Sequence, residues 1–274
     1  VSVLSRPSAH TEALVLRAWP CGETSVIASL LSREQGYVKV LAKAARRPRS
    51  RLRALVEPGR LVDVEFSLDP RRELQYLRGG SVLLDPLQEQ ATLERSAFLQ
   101  SALELVDRCR PLHGGDSDQG TVELFAVCED FLRVLSSPSC SQPVILFFAF
   151  EWELLARHGM APEVGHCTCC GLPAADLVEG ARWFSASEGG LVCEPCNRGG
   201  VSGARPLSGE ALAWLQGAAA GGLRVDTEVP YERPLRRELG ALLHRFLGYH
   251  LPGYRLPAAL DLLRTDDGSK ERRR

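Results

Sequence analysis

Two C-x-x-C pairs limit what this chain can fold into more than any other feature. They are Cys167/Cys170 and Cys193/Cys196, with 22 residues between them. Each pair fits one tight turn with both sulfurs pointing the same way. Gly171 follows the first pair, and Gly189 and Gly190 precede the second. Glycine there allows positive φ and lets backbone amides swing toward thiolate. Two such turns brought together offer a tetrahedral thiolate set, which suits one Zn²⁺ ion. Four protein ligands leave the metal no open position for water, so the site reads as structural. Its binding free energy, on the order of 10 kcal/mol, would partly be folding energy. His166 and Cys169 are spare donors, but Cys169 adjoins Cys170 and points away, so it is left out of the ligand set.

Three other arrangements compete. Disulfides within C-x-x-C close very small loops, and nine cysteines, an odd number, fit a reducing compartment better than a disulfide framework. Redox-active C-x-x-C motifs need a βαβ context, and this segment is rich in turns. Unrelated core cysteines would have to fall into two C-x-x-C pairs by chance. The start of the chain lacks an apolar run long enough for a signal peptide. The most apolar run, Val144 to Phe150, is seven residues, too short for a membrane span. A cytoplasmic chain without membrane association is expected.

The 274 residues allow two domains and a small insert, and 45% apolar residues allow a sizeable core. The net charge of −1 hides an asymmetry. Residues 1–85 carry 14 Lys/Arg against 9 Asp/Glu, whereas residues 86–274 carry 19 against 25. A basic first part suggests a polyanion partner. That part also reads as β structure. Strands are expected at 12–19, 24–32, 37–41, 61–68 and 73–84, with turns at 20–23, 35–36 and 69–72. Gly79 and Gly80 mark a bend or bulge in the last. Five short strands in this space describe a small barrel, and a five-stranded OB-type β-barrel is the natural candidate. Strand pattern alone leaves an SH3-like barrel open.

No acidic residue occurs from Gln35 to Val56. Within that stretch Lys39, Lys43, Arg46, Arg47, Arg49, Arg51 and Arg53 place seven positive charges in 15 residues. Pro48 and Ser50 make its middle a loop. A charge run is usually a solvated face. Crowded, uncompensated cations on a barrel loop also match the electrostatic footprint of DNA binders, because arginine forks pair with phosphate and binding releases counterions. Trp19, Tyr37, Phe66 and Tyr76 are candidates for base stacking, with core packing the expected role of at least two of them.

From Asp85-Pro86 onward the period changes to helical. Helices are expected at 89–109, 120–136, 143–159, 207–220 and 232–248, with 111–119 a loop. Pro143 and Gly159 bracket the third, which is apolar nearly all round at its start and therefore suits the centre of a bundle. Phe147, Phe148, Phe150 and Trp152 read as core. Ser208 offers a weak cap, since Ala211 stands where a capping box needs Glu or Gln. Trp183 and Phe184 suit a strand of a hairpin between the cysteine pairs. The whole is an α+β chain. Residues 1–85 form an OB-fold DNA-binding domain. Residues 86–160 and 201–255 form a helical domain. Residues 161–200 form a zinc-binding module within it, and residues 262–274 a disordered basic tail.

Catalytic signatures are absent from the sequence. There is no G-x-x-x-x-G-K-[ST] loop, no H-E-x-x-H and no G-x-S-x-G. No H-x-E accompanies the second C-x-x-C, as a zinc deaminase requires. Asp63 and Glu65 share a strand face but read as its wet side, and no lysine has the K-x-D-G setting of a ligase. A non-enzymatic protein is expected. Two alternatives stand beside a DNA-binding role. One is a scaffold whose basic loop docks an acidic protein, and the other is a zinc-containing enzyme acting on nucleic acid.

Three segments resemble the RecO family of bacterial recombination mediators. They are T-E-A-L-V-L-R…G-E-T at 11–24, V-L-A-K-A-A-R-R-P-R-S at 40–50, and C-T-C-C-G…G-G-L-V-C-E-P-C at 167–196. In the second, Ala44 stands where the family is expected to have glycine. The third is similar to the family's zinc-binding version. The resemblance implies an N-terminal OB domain and a helical C-terminal domain carrying zinc. It implies binding of single- and double-stranded DNA, annealing of complementary strands, and assistance to the recombinase in displacing single-strand-binding protein. The implied partners are RecR and single-strand-binding protein, in a nucleoid-associated bacterial setting.

Overall fold

The computed structural model describes residues 7–69, 71–109, 119–178, 180–227 and 230–263. Two expectations fall largely outside them: the loop at 111–119, of which only Gln119 is described and is helical, and the disordered basic tail at 262–274, of which only Leu262 and Leu263 are described and are helical. Five strands come first: β1 (Ser8–Cys21), β2 (Ser25–Ser32), β3 (Gly36–Ala42), β4 (Leu61–Ser67) and β5 (Leu74–Leu84). They close into a barrel of order β1-β2-β3-β5-β4, in which β3 and β5 are parallel and the other pairs antiparallel. This order is that of an OB fold and settles the choice between barrels.

Alternation of side chains fills the barrel. Ala13, Val15, Ala28, Leu30, Val40, Ala42, Val62, Val64 and Phe66 form its core. The alternation is interrupted once in β1. Val15 pairs with Leu30 and Arg17 with Ser29, so Leu16 is the extra residue of a bulge. Before the bulge the odd-numbered Ala9, Ala13 and Val15 face the core, and after it Ala18 packs there. β5 carries two irregularities against β4, one beside Gly79 and one near Leu83. Gly80 sits at φ +150°, and a Cβ there would overlap the carbonyl oxygen of Asp63. The expected bend is therefore a place where two backbones approach too closely for a side chain.

The helices α1 (Leu93–Cys109) and α2 (Gln119–Ser136) pack on the outside of the barrel, α1 against β1 and α2 against β1, β2 and β3. They group with it into one compact unit, and Ser139–Leu256 form another. Leu14, Leu16 and Leu31, which lie outside the barrel core, are buried. The Tyr37 hydroxyl donates to the Val106 carbonyl at 2.9 Å. Arg33 pairs with Glu12 and Glu129, each at 2.6 Å, and lies 4.6 Å from the centre of the Phe125 ring. Helix α1 begins at Leu93 rather than 89 because the Thr92 hydroxyl caps it, accepting from the Arg95 N–H at 3.1 Å.

The second unit holds α3 (Pro143–Arg157), β6 (Arg182–Ser185), β7 (Gly190–Cys193), α4 (Glu194–Arg198), β8 (Arg205–Pro206), α5 (Gly209–Gly221) and α6 (Arg233–His250). Strand order in its small sheet is β7-β6-β8. Helix α3 is buried on nearly all sides, including Phe147, Phe148, Phe150 and Trp152. It ends in a Schellman turn: Met160 N–H donates to Leu155, Gly159 N–H to Ala156, and Gly159 sits at φ +67°. Phe148 meets Trp214 edge to face at 6.4 Å, joining α3 to α5. Phe184 meets Phe246 at 5.7 Å, joining β6 to α6. The weak cap of α5 is completed across space. Ser208 Oγ accepts from Ala211 N–H at 3.1 Å, while Glu238 of α6 accepts from the Ser208 N–H at 2.8 Å. That distant carboxylate does what the missing N3 glutamate would do.

Candidate nucleic-acid interface and metal centre

The seven cations of 39–53 do not share one environment. Residues 42–56 fold as successive i→i+3 turns, with N–H donors Ala45, Arg47, Ser50, Arg53, Leu55 and Val56 bonded three residues back. The Arg46 N–H donates to the Thr24 carbonyl at 2.8 Å, tying the run to the β1–β2 turn. Leu55 and Val56 insert into the barrel core, so the base of the loop is fixed. Three of the cations are engaged. Lys39 forms an ion pair with Glu73. Lys43 Nζ stands 4.6 Å over the Tyr76 ring. Arg46 donates to the Glu23 carbonyl at 3.3 Å.

Arg47, Arg49, Arg51 and Arg53 are exposed, and among the described residues no carboxylate pairs with them. Two residues of the loop occupy the left-handed region without being glycine: Ala44 at φ 57° and Arg49 at φ 63°. That conformation costs an L-residue roughly 1–2 kcal/mol. The carboxylates nearest in character to a metal pair are each occupied by a basic neighbour. Asp63 faces His10 at 3.1 Å and Glu65 faces Arg78 at 3.3 Å.

The four aromatic candidates divide cleanly. Phe66 is wholly buried and Tyr37 nearly so. Tyr76 is half-buried under Lys43. Trp19 is 37% exposed and forms one wall of a cleft of about 310 Å³. Arg46, Arg53, Glu57 and Pro58 also line it. The sequence does not mark this cleft, because its walls come from separated segments that only barrel closure brings together.

The four cysteines do come together. The sulfurs of Cys167, Cys170, Cys193 and Cys196 all lie within 4.8 Å of one another, and Cys170 and Cys193 are 3.6 Å apart. A thiolate tetrahedron around a metal bonded at about 2.3 Å has edges of roughly 3.8 Å, so the set can hold a metal ion. Among the described residues it is the one group of three or more His, Cys, Asp or Glu side chains so placed. Local folding explains the arrangement. Gly171, at φ +75°, closes the first turn by donating to the Cys167 carbonyl at 2.8 Å. Strand β7 ends at Cys193, which caps α4, and Cys196 lies in that helix. Gly190 serves a purpose other than turning amides to sulfur. The Glu163 segment pairs against it, and a Cβ there would overlap the Glu163 backbone.

Burial works against the Cys167 thiolate, but backbone N–H groups of Cys193, Cys170 and Cys169 outweigh it and bring the thiol down to about 6. The Cys193 N–H reaches Cys167 Sγ at 3.3 Å. Sharing with the Cys193 and Cys170 sulfurs pushes Cys196 the other way. A cluster that already favours one thiolate and crowds three more sulfurs around it suits a cation. Cys169 is exposed, and neither it nor His166 belongs to the set.

Comparison with known proteins agrees with this layout. Residues 7–84 match the family described as Recombination protein O N terminal, and residues 90–259 match Recombination protein O C terminal. "DNA repair protein RecO" of Myxococcus xanthus (strain DK1622) is 31% identical over 244 residues, covering 88% of this chain and 91% of the relative. The protein of that name from Anaeromyxobacter dehalogenans (strain 2CP-C) is 33% identical over 245 residues, covering 89% and 92%. That from Bacillus subtilis (strain 168) is 29% identical over 185 residues, covering 68% and 67%. Among the described residues no helix is long and apolar enough to cross a membrane. With two matches that together run along nearly its whole length, and relatives of over 30% identity along most of it, the chain belongs to the RecO family of recombination and DNA repair proteins.

Proposed function

We propose that this chain is a non-catalytic DNA-binding mediator that brings complementary single strands together and assists loading of the recombinase. The observation that carries this reading is the run of four exposed arginines, Arg47, Arg49, Arg51 and Arg53, held on a fixed barrel loop without carboxylate partners among the described residues. Annealing requires two polyanions to be neutralised at once. Arginine forks without base-specific geometry do that on any sequence, and binding gains from counterion release. Lys39, Lys43 and Arg46 contribute to the same field from engaged positions. Residues 1–85 act as the DNA-binding part, and the acidic remainder is left for protein partners, for which RecR and single-strand-binding protein are the family's implied candidates. Cys167, Cys170, Cys193 and Cys196 hold one zinc ion whose role is to order the module around β6 and β7, not to act on substrate. Single- and double-stranded DNA both offer the phosphates that the loop needs.

The test mixes the protein with two complementary labelled strands over a salt series, without nucleotide. Duplex formation and strand integrity are followed together. Acceleration that fades with salt, is lost in Arg46→Ala/Arg47→Ala/Arg49→Ala, and leaves both strands intact is the expected result. Absence of acceleration and binding at low salt would sink the reading, and shortened strands would replace it with an enzyme.

A further inference from the structure

We propose that the cleft beside Trp19 seats one unpaired nucleobase, so that the protein distinguishes single strands from duplex. This rests on the DNA-binding reading above and adds a site to it. The bulge at Leu16 is the cause of the site. Without it, Trp19 would continue the odd-numbered phase of Ala13 and Val15 and enter the barrel core. With it, Ala18 takes the inward place and Trp19 is left 37% exposed.

The floor of the cleft is the end of the barrel core. Ala45 and Val56 belong to that core, and Ala18 and Val26 pack on it. A flat indole wall over an apolar floor matches the π-face of a base, and stacking of this kind is indifferent to which base is present. Arg46 and Arg53 stand at the cleft, and Arg47, Arg49 and Arg51 continue the same loop. A base seated against Trp19 therefore has cations beside it for its flanking phosphates. The space, about 310 Å³, lies at the small end of ligand sites. It suits a single base and excludes a base pair still in its stack.

Glu57 also lines the cleft. Its carboxylate, 3.9 Å from Arg60, would repel the carboxylates of an acidic peptide and the phosphates of DNA alike, so its charge does not choose between these ligands. It can accept from the exocyclic amine of cytosine or adenine. The flat indole wall and this acceptor therefore favour a base.

The experiment uses the full chain and Trp19→Ala, with Trp19→Phe as the conservative variant. Affinities for an oligothymidine and for a duplex of equal phosphate number are measured by anisotropy over a salt series. Tryptophan fluorescence is followed in parallel. Trp152 and Trp214 are buried and Trp183 is half-buried in β6, so the part of the quenching that Trp19→Phe removes is the signal of Trp19. Trp19→Ala is expected to weaken single-strand binding about 5- to 150-fold, the range for losing one stacked base. It should leave duplex affinity within about twofold and the salt slope unaltered, since no charge is removed. Trp19→Phe should recover part of the loss. Equal losses on both nucleic acids, or no loss on either while the wild type binds, would overturn this assignment alone. Quenching by an acidic peptide that oligothymidine fails to displace would overturn it in favour of a protein ligand. No binding of either nucleic acid by the wild type at low salt would overturn the DNA-binding reading as well.

Discussion

Replacing Arg47, Arg49, Arg51 and Arg53 with alanine tests how the basic loop divides its work. These four side chains are exposed and have no carboxylate partner among the described residues, whereas Lys39 is closed on Glu73. Each free cation that meets a single-strand phosphate contributes about −0.7 to the slope of log K against log salt. Four contacts then give about −2.8. Between about 50 and 200 mM salt that corresponds to roughly 50-fold in affinity. The quadruple variant is therefore expected to lose close to three units of slope, leaving only the smaller salt dependence of Lys39, Lys43 and Arg46 in this loop. Its fold should survive, because exposed truncations away from packed contacts change stability by only about 0.5 kcal/mol each. The double variant Lys39→Ala/Glu73→Ala removes an ion pair already satisfied and should move the slope by less than one contact. Fluorescence anisotropy on a labelled oligonucleotide at five or so salt concentrations reads both. A quadruple variant with the wild-type slope would refute the division. So would a Lys39/Glu73 variant that loses as much.

Three further tests address the scaffold. Ala44→Gly should stabilise the protein by about 0.5 kcal/mol, because it relieves a left-handed alanine at φ 57° while adding glycine's own entropy cost; the midpoint of urea unfolding measures it, and a lower midpoint would contradict it. Cys193→Ser should abolish binding of one metal ion per chain, seen by native mass spectrometry, and should expose the amides of β6 and β7 to hydrogen exchange; unchanged protection would mean that the module orders itself without metal. Glu151 is completely buried on α3, 3.1 Å from His244 Nδ1, and burial raises its carboxyl above the ordinary value despite the histidine. Its proton is held more tightly in the folded state, so this contribution to stability is full below the unfolded value near about 4.3 and is lost as pH rises through the folded one. Glu151→Gln should remove that fall, giving a flatter melting temperature from acid to neutral pH; an equal slope in the variant would count against it.

Much of this was legible in the chain because it depends on neighbours in sequence. The C-x-x-C spacing, the alternation at 61–68, the proline and glycine that bracket α3, and the acid-free stretch around Arg47 are all local patterns, and the structure puts each into a corresponding element. Local signals erred by a turn where a cap decided the end, as at Thr92. They misjudged the purpose of Gly190, whose reason is the backbone of Glu163 lying against it.

What depended on chain segments meeting in space was decided only by the tertiary structure. The parallel pairing of β3 with β5 separates an OB barrel from its alternatives, and no local periodicity encodes which strands become neighbours. The sequence by itself determined that seven cations lie together in 39–53; folding determined that Glu73, Tyr76 and Glu23 engage three of them and that the other four have no carboxylate partner among the described residues. Glu238 completes a cap on α5 from another helix, 30 residues away. Most of all, one extra residue at Leu16 turns Trp19 from the core to the surface. A bulge is a mismatch between two paired strands, so it exists only once β1 has found β2.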